Sequence, residues 1–249
     1  MASDVYDGEF MRSIARDSSR SAPIVLDAVF KELGGVPASV VDVGCGSGGW
    51  LAECAERGAE VLGLDGEYAR SSLGIPTDRF VVADLTKPIS LPPGRYELAI
   101  CMEVAEHLPA ERGPSLVSDL VALADDVLFS AAIPGQSGRH HVNCRWQSYW
   151  AGLFESHGYA PIDCVRPVLW NEPAVNWWYR QNVLLYRRGA ASRLPMPLDV
   201  MHPGCVRGEL VEPEIPATLR LVGSALRRSA AYRETQLRKR LDRRPKRNS

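Results

Sequence analysis

VVDVGCGSGGW, Val40 to Trp50, sets glycines at 44, 46, 48 and 49 between an apolar run and the start of an amphipathic one. Glycine lets the chain turn sharply and lets a ligand lie against bare main chain. A helix that starts there offers backbone N–H groups with no partner inside the helix. Strand, glycine turn and helix in that order open a cofactor-binding α/β unit. Gly44, Gly46 and Gly49 also satisfy the dinucleotide pattern G-x-G-x-x-G, so the turn alone admits more than one ligand.

Outward from the turn, the periodicity alternates. Ser21–Leu33 spaces its apolar residues as an amphipathic helix, ended by Gly34-Gly35. Ser39–Val43 reads as a buried strand and Trp50–Arg57 as a helix closed by Gly58. Glu60–Leu64, Phe80–Ala83, Glu97–Met102 and Val127–Ser130 are further strands, and Pro114–Leu123 and Trp146–His157 are helices. Tyr159–Val165 and Val183–Arg187 read as two last strands. The alternation over residues 21–190 predicts an α/β fold, a doubly wound and mainly parallel sheet, with ligands at the carboxyl ends of its strands. Residues 1–20 read as an N-terminal extension and 191–216, with prolines at 195, 197, 203, 213 and 216, as an extended linker. Residues 217–249 form a basic tail with helical spacing over Ala217–Leu241.

Three acids accompany the glycines. Asp42 sits inside the first strand, two residues before Gly44; Asp65 ends the second strand; Asp84, with Leu85 beside it, ends the third. A nearby acid repels a pyrophosphate and suits a ligand that carries positive charge. Asp65 is placed to accept bonds from ribose hydroxyls, and Asp84 to accept an adenine amino group.

On VVDVGCGSGG, LGLDG (Leu62–Gly66), VVADL (Val81–Leu85) and ICMEVAEHL (Ile100–Leu108), the chain resembles the class I methyltransferases that use S-adenosylmethionine (SAM). The resemblance covers about residues 20–190. It implies a Rossmann-like sheet ending in an antiparallel hairpin, with SAM as cofactor. The glycine turn (Gly44, Gly46, Gly48, with Asp42) would hold the methionine part, Asp65 the ribose, and Asp84 with Leu85 the adenine. Met102 and Glu103 would line the methyl end.

Methyl transfer to a hydroxyl gains from a base, and histidine suits neutral pH. His107 follows the fourth strand and His141 the fifth, which makes them the candidate catalytic residues; the plainer reading makes them a helix-start residue and a solvated loop residue. Glu103, Glu106, His107 and His141 form a second candidate set, for a divalent cation. E-V-x-E-H followed by a later His resembles the metal-using small-RNA 2′-O-methyltransferases and the ubiquinone-pathway O-methyltransferases. The aromatic residues Trp146, Tyr149, Trp150, Trp170, Trp177, Trp178 and Tyr179 read either as core or as the wall of an acceptor pocket.

The expected function is therefore O-methylation of a small molecule or sugar, in a natural-product or surface-glycan pathway. The rivals are an RNA or protein methyltransferase, an NAD(P)-dependent oxidoreductase and a non-catalytic SAM-fold interaction protein. Composition narrows the setting. The chain has 249 residues, 45% hydrophobic, and six cysteines without a C-x-x-C pair. That argues for one main domain and against a disulfide framework. No apolar run approaches the roughly 20 residues of a membrane span, and the acidic start is unlike a secretory signal; a cytoplasmic protein is expected. Residues 219–249 hold eleven Lys/Arg and two acids against a net charge of −1 for the whole chain. Such a tail suits nucleic acid or an anionic membrane surface, or stands as a solvated extension.

Overall fold

The computed structural model describes residues 8–91 and 95–209, and the basic tail lies outside them. Seven strands form one sheet in the order β3-β2-β1-β4-β5-β7-β6. They are β1 (Ser39–Val43), β2 (Glu60–Asp65), β3 (Phe80–Val82), β4 (Leu98–Met102), β5 (Asp126–Ser130), β6 (Tyr159–Ile162) and β7 (Leu184–Arg188). The first five run parallel. β7 enters antiparallel between β5 and β6 and pairs antiparallel with both. This is the doubly wound sheet with an antiparallel terminal hairpin that the sequence predicts.

β1, β4 and β5 are almost wholly buried because helices cover both faces. Successive side chains alternate between the faces. Val40, Leu98, Ile100 and Leu128 pack with α1 (Gly8–Leu33) and α2 (Gly49–Glu56). Val41, Val43, Ala99, Cys101, Val127 and Phe129 pack with α3 (Arg112–Leu123) and α4 (Gln147–Ser156). No helix among the described residues is long and apolar enough to cross a membrane.

Three places differ from the sequence reading. First, α1 begins at Gly8, not Ser21, and carries Pro23 in its interior. Ser21 followed by Pro23 imitates a helix entry, because proline suits a first turn. The helix continues upstream instead, and Ser18 and Ser21 are buried with it. Second, two short helices interrupt the chain before the last strand, α5 (Arg166–Leu169) and α6 (Trp177–Asn182). Third, the described part of the proline-rich stretch is not a free linker. Its backbone is taken up by buried side chains of the body: Arg166 donates to Leu198 O (2.7 Å) and Pro197 O (3.2 Å), and Gln147 Nε2 donates to Val200 O (3.2 Å). Asp199 accepts from Ser148 N–H (2.7 Å) at the start of α4, and His202 N–H donates to Gln181 Oε1 (2.8 Å). A helix, α7 (Pro203–Glu209), follows.

Candidate active site

A cleft of about 1070 Å³ opens at the carboxyl ends of β1, β2, β3, β4 and β5. Gly44, Gly46, Asp65, Asp84, Leu85, Met102, Glu103, Glu106, His107 and His141, all singled out in the sequence, line it.

One half of the cleft is built around the glycine turn. Gly46 has φ +54° and no atom within 4 Å of where a Cβ would stand, so bare backbone faces the cleft. Asp65, 3% exposed, ties the turn to β2: its Oδ2 accepts from Gly46 N–H (2.7 Å), and its Oδ1 accepts from Gly66 N–H (2.7 Å) and from the Tyr68 hydroxyl. Burial pushes the Asp65 carboxyl up, against those three bonds, which pull it down. Asp84 is exposed and accepts from Thr86 N–H (3.1 Å), Thr86 Oγ1 (2.6 Å) and Lys87 (2.9 Å). These contacts lower it to about 2.

Two expected donor residues stand elsewhere. Asp42 lies inside β1 and does not line the cleft. It is 1% exposed, and neither carboxylate oxygen has a hydrogen-bond partner among the described residues. Burial, then the charge of Asp65, push it well above the usual carboxylate range. Buried inside the strand and away from the cleft lining, Asp42 is not a carboxylate that a ligand there meets directly. Gly48, at the N-terminal end of α2, faces Ile75 rather than the cleft.

The other half is assembled from two separate turns. The loop after β5 is stapled to the turn after β4: Val142 N–H (2.8 Å) and Asn143 N–H (3.0 Å) donate to Glu106 O, and Asn143 Nδ2 donates to Ala105 O (3.3 Å). This brings His141 against His107, edge to face, with ring centroids 5.0 Å apart. His107 Nδ1 faces His140 O (3.3 Å) and His141 Nδ1 faces Gln136 O (3.2 Å). A carbonyl only accepts, so each Nδ1 carries a proton where it meets that oxygen. Burial, then His141, push His107 down to about 4; the ring is neutral at physiological pH. Glu106 is fully buried, and its oxygens have no hydrogen-bond partner among the described residues. Burial, then Glu103, push its carboxyl well up. Ligand atoms of Glu106, His107 and His141 lie within 4.8 Å of one another. Glu103 is not in that cluster: Gln136 Nε2 (3.0 Å) and Asn182 Nδ2 (3.1 Å) hold its carboxylate. Of the aromatic residues, Trp177, Trp178 and Tyr179 reach the cleft, while Trp150 packs in the core.

A family model described as a methyltransferase domain matches residues 19–182. The chain belongs to that family. This resolves the ambiguity of the glycine turn in favour of a methyl donor over a dinucleotide, and the sheet is that of the class I, SAM-dependent methyltransferases. Among curated proteins, the chain is 39% identical over 100 residues to the ubiquinone biosynthesis O-methyltransferase of Chromobacterium violaceum, spanning 35% of this chain and 40% of the relative. It is 30% identical over 105 residues to the magnesium-protoporphyrin O-methyltransferase of Synechocystis, spanning 40% and 46%. The chain therefore spans less than half the length of these relatives. A crystal structure of magnesium protoporphyrin IX methyltransferase from Synechocystis, with bound S-adenosylhomocysteine, superposes with a TM-score of 0.52 at 20% identity, covering 70% of this chain and 84% of that one.

Several cleft residues of this methyltransferase escaped the sequence reading. Asp17 arrives from the stretch taken for an extension, and Tyr68 from the turn after β2. Gln136 and Gln181 build a buried amide network with Asn182: Gln181 Nε2 donates to Gln136 Oε1 (2.9 Å) and Asn182 Oδ1 (2.8 Å), and Asn182 Nδ2 also donates to Gln136 Oε1 (3.0 Å). An amide carries no pattern of its own. The signal available for Asp17 was the α1 stripe, which continues from Leu26 and Ala22 back to Ser18 at helical spacing.

Proposed function

We propose that this methyltransferase moves the methyl group of SAM onto a hydroxyl oxygen of a small molecule. The observation that carries this reading is the pair of imidazoles, His107 and His141, facing the cleft beside the turn that ends β4. The two curated relatives named above are both O-methyltransferases with small-molecule names, which supports an oxygen acceptor over nucleic acid or protein. Trp177 and Trp178 in the cleft support an acceptor with a flat or ring-shaped apolar face, the class that includes aromatic natural products and sugars.

The residues present fit the donor. Gly46 offers bare backbone to the cleft, and Asp65 and Asp84 stand at the strand ends. Bound SAM supplies a methyl carbon on a positively charged sulfur that is already a good leaving group. The chain aligns donor and acceptor, and alignment alone supplies several kcal/mol. With SAM in the cleft, His107 would take the hydroxyl proton as the acceptor oxygen receives the methyl group and the sulfur leaves as a neutral thioether. The neutral state of His107 is what this step requires. Burial, with His141 second, holds His107 below its ordinary value, and His141 borders the same space.

A second reading of the same corner is favoured by the orphaned oxygens of Glu106. Glu106, His107 and His141 would hold a divalent cation, which would bind the acceptor oxygen and lower its pKa. The two readings separate on chelation. Calorimetry with S-adenosylhomocysteine, with NADH as control, should show micromolar binding of the first and none of the second. A screen of phenolic and sugar acceptors with labelled SAM, with and without EDTA, then reads the acceptor and the cation. Full activity in EDTA leaves the base reading alone; loss restored by Mg²⁺ or Mn²⁺ establishes the cation. Failure to bind S-adenosylhomocysteine overturns both.

A further inference from the structure

The loop after β5 brings more to the cleft than His141: every residue from Gln136 to His141 lines it. The loop folds back on its own last residue. His141 Nδ1 faces the carbonyl oxygen of Gln136 (3.2 Å), and Cys144 Sγ stands 3.8 Å from the same nitrogen. The far edge of the ring, Nε2 with Cε1 and Cδ2, lies over Gly138. One loop thus holds the imidazole at two edges, in the place where it meets His107.

The Gln136 side of this clamp is anchored from behind. The Gln136 side chain is buried; its Nε2 donates to Glu103, and its Oε1 accepts from Gln181, from Asn182 and, at 3.4 Å, from Ile133 N–H. Gln181 in turn accepts from His202 N–H (2.8 Å). With the amide tied down, the carbonyl oxygen of the same residue stays aimed at His141. The bond that one ring nitrogen makes decides which nitrogen carries the proton, and this oxygen calls for it on Nδ1.

The Gly138 side works by leaving room. A Cβ at this position would stand 2.1 Å from His141 Nε2 and 2.2 Å from Cε1, well inside van der Waals contact. Gly138 is exposed, and its φ lies outside the left-handed region. The backbone therefore does not call for glycine here; the ring does. An alanine would be accommodated by displacing the imidazole, which yields more readily than backbone, so the fold would survive while the ring moved.

We propose that Gln136 and Gly138 are positioning residues for the reaction: the Gln136 carbonyl fixes His141 by its Nδ1 edge, Gly138 leaves the space that the other edge fills, and the ring stands against His107 only while both hold. The assignment rests on His141 being a working imidazole of the cleft. It also makes that imidazole depend, through Gln181, on His202 in the segment after β7.

The test reads the ring itself. Full-length protein carrying nitrogen-15 histidine is followed by long-range proton–nitrogen NMR, with the His141 signals assigned by their loss in His141→Ala. The unaltered protein is expected to show one His141 tautomer, protonated at Nδ1. Gly138→Ala is expected to replace it with a mixture of tautomers, while S-adenosylhomocysteine affinity stays within about twofold and the melting temperature is unchanged. On the acceptor found in the screen, its kcat should fall about tenfold or more, the scale on which a misplaced group acts, with KM for SAM unchanged. Gln136→Ala should give the same change of spectrum from the other side of the clamp. An unaltered protein protonated at Nε2 overturns the proposal, as does a Gly138→Ala spectrum identical to that of the unaltered protein. Loss of S-adenosylhomocysteine affinity and of melting temperature together with the tautomer would mean a general structural role and overturn it too. If His141→Ala keeps full activity, the reading of His141 falls and takes this assignment with it; if His141→Ala is impaired and Gly138→Ala keeps both spectrum and kcat, only the assignment falls.

Discussion

The two halves of the cleft are built by different means. On the side we propose for the donor, Gly46, Asp65, Tyr68 and Asp84 lie within about 40 residues of one another and hang from three adjacent parallel strands. Each contact there is between neighbouring turns: Asp65 reaches Gly46, Gly66 and Tyr68, and Asp84 caps its own turn. On the side we propose for the acceptor, His107 and His141 come from loops 34 residues apart. Their approach depends on Val142 and Asn143 bonding back to Glu106, and on an amide network that reaches Asn182. A local construction is robust and reusable; an assembled one is specific, and every part of it is needed at once.

Substitutions test that contrast. The largest effect is expected at the imidazoles. His107→Ala or His141→Ala should lower turnover about 100-fold or more, the share a positioned base contributes, with S-adenosylhomocysteine affinity within twofold. If both variants keep full activity, neither residue is the base and the acceptor half is misread. Next comes Asp65→Ala, expected to weaken S-adenosylhomocysteine binding by about 1–3 kcal/mol through loss of charge-assisted bonds and of the hold on Gly46. Unchanged affinity in calorimetry would show that the turn keeps its shape without this carboxylate. Gln136→Ala should destabilise the fold by about 1–3 kcal/mol in urea unfolding, because it strands Gln181, Asn182 and Glu103 together. A negligible change would mean the network is not what holds the acceptor half.

The smallest expected effect is on pH dependence. His107 is pushed down to about 4 in the fold, against an ordinary value near 6.5. Between those values the unfolded chain takes up a proton that the native state refuses. The contribution is therefore intact above about 6.5 and lost as pH falls toward about 4. The melting temperature should decline across that window, and His107→Asn should flatten the slope. Asp42 has the opposite sign: its folded value is raised, so its penalty grows as pH rises. Asp42→Asn should raise the melting temperature more at pH 8 than at pH 5, and an equal shift at both would show that Asp42 is ionised in the fold.

The sheet was legible because its signals are short-range. Val40–Trp50 declares strand, turn and helix within eleven residues, and the strands that follow repeat the pattern. The two histidines were legible as candidates because each follows a strand that must end at the cleft. Asp42 was misplaced because sequence shows that a strand carries an acid but not which face it points to. Glu103 could not be told from Glu106 by spacing; only the partners Gln136 and Asn182 separate them. Asp17 was hidden because Ser21 and Pro23 imitate a helix start, and what carries α1 past them is tertiary packing against Gly49.

The segment after β7 bears on where this enzyme can be cut. The sheet is complete at Arg188 and the family match stops at residue 182, so either point looks like a natural place to end a recombinant chain. Yet Asp199 serves the first turn of α4, and His202 occupies the one oxygen of Gln181 that the amide network leaves over. A chain stopped at Arg188 would keep every strand and still lose the outermost brace of Glu103. The smallest piece that can carry the site whole therefore ends beyond His202, fourteen residues past the last strand.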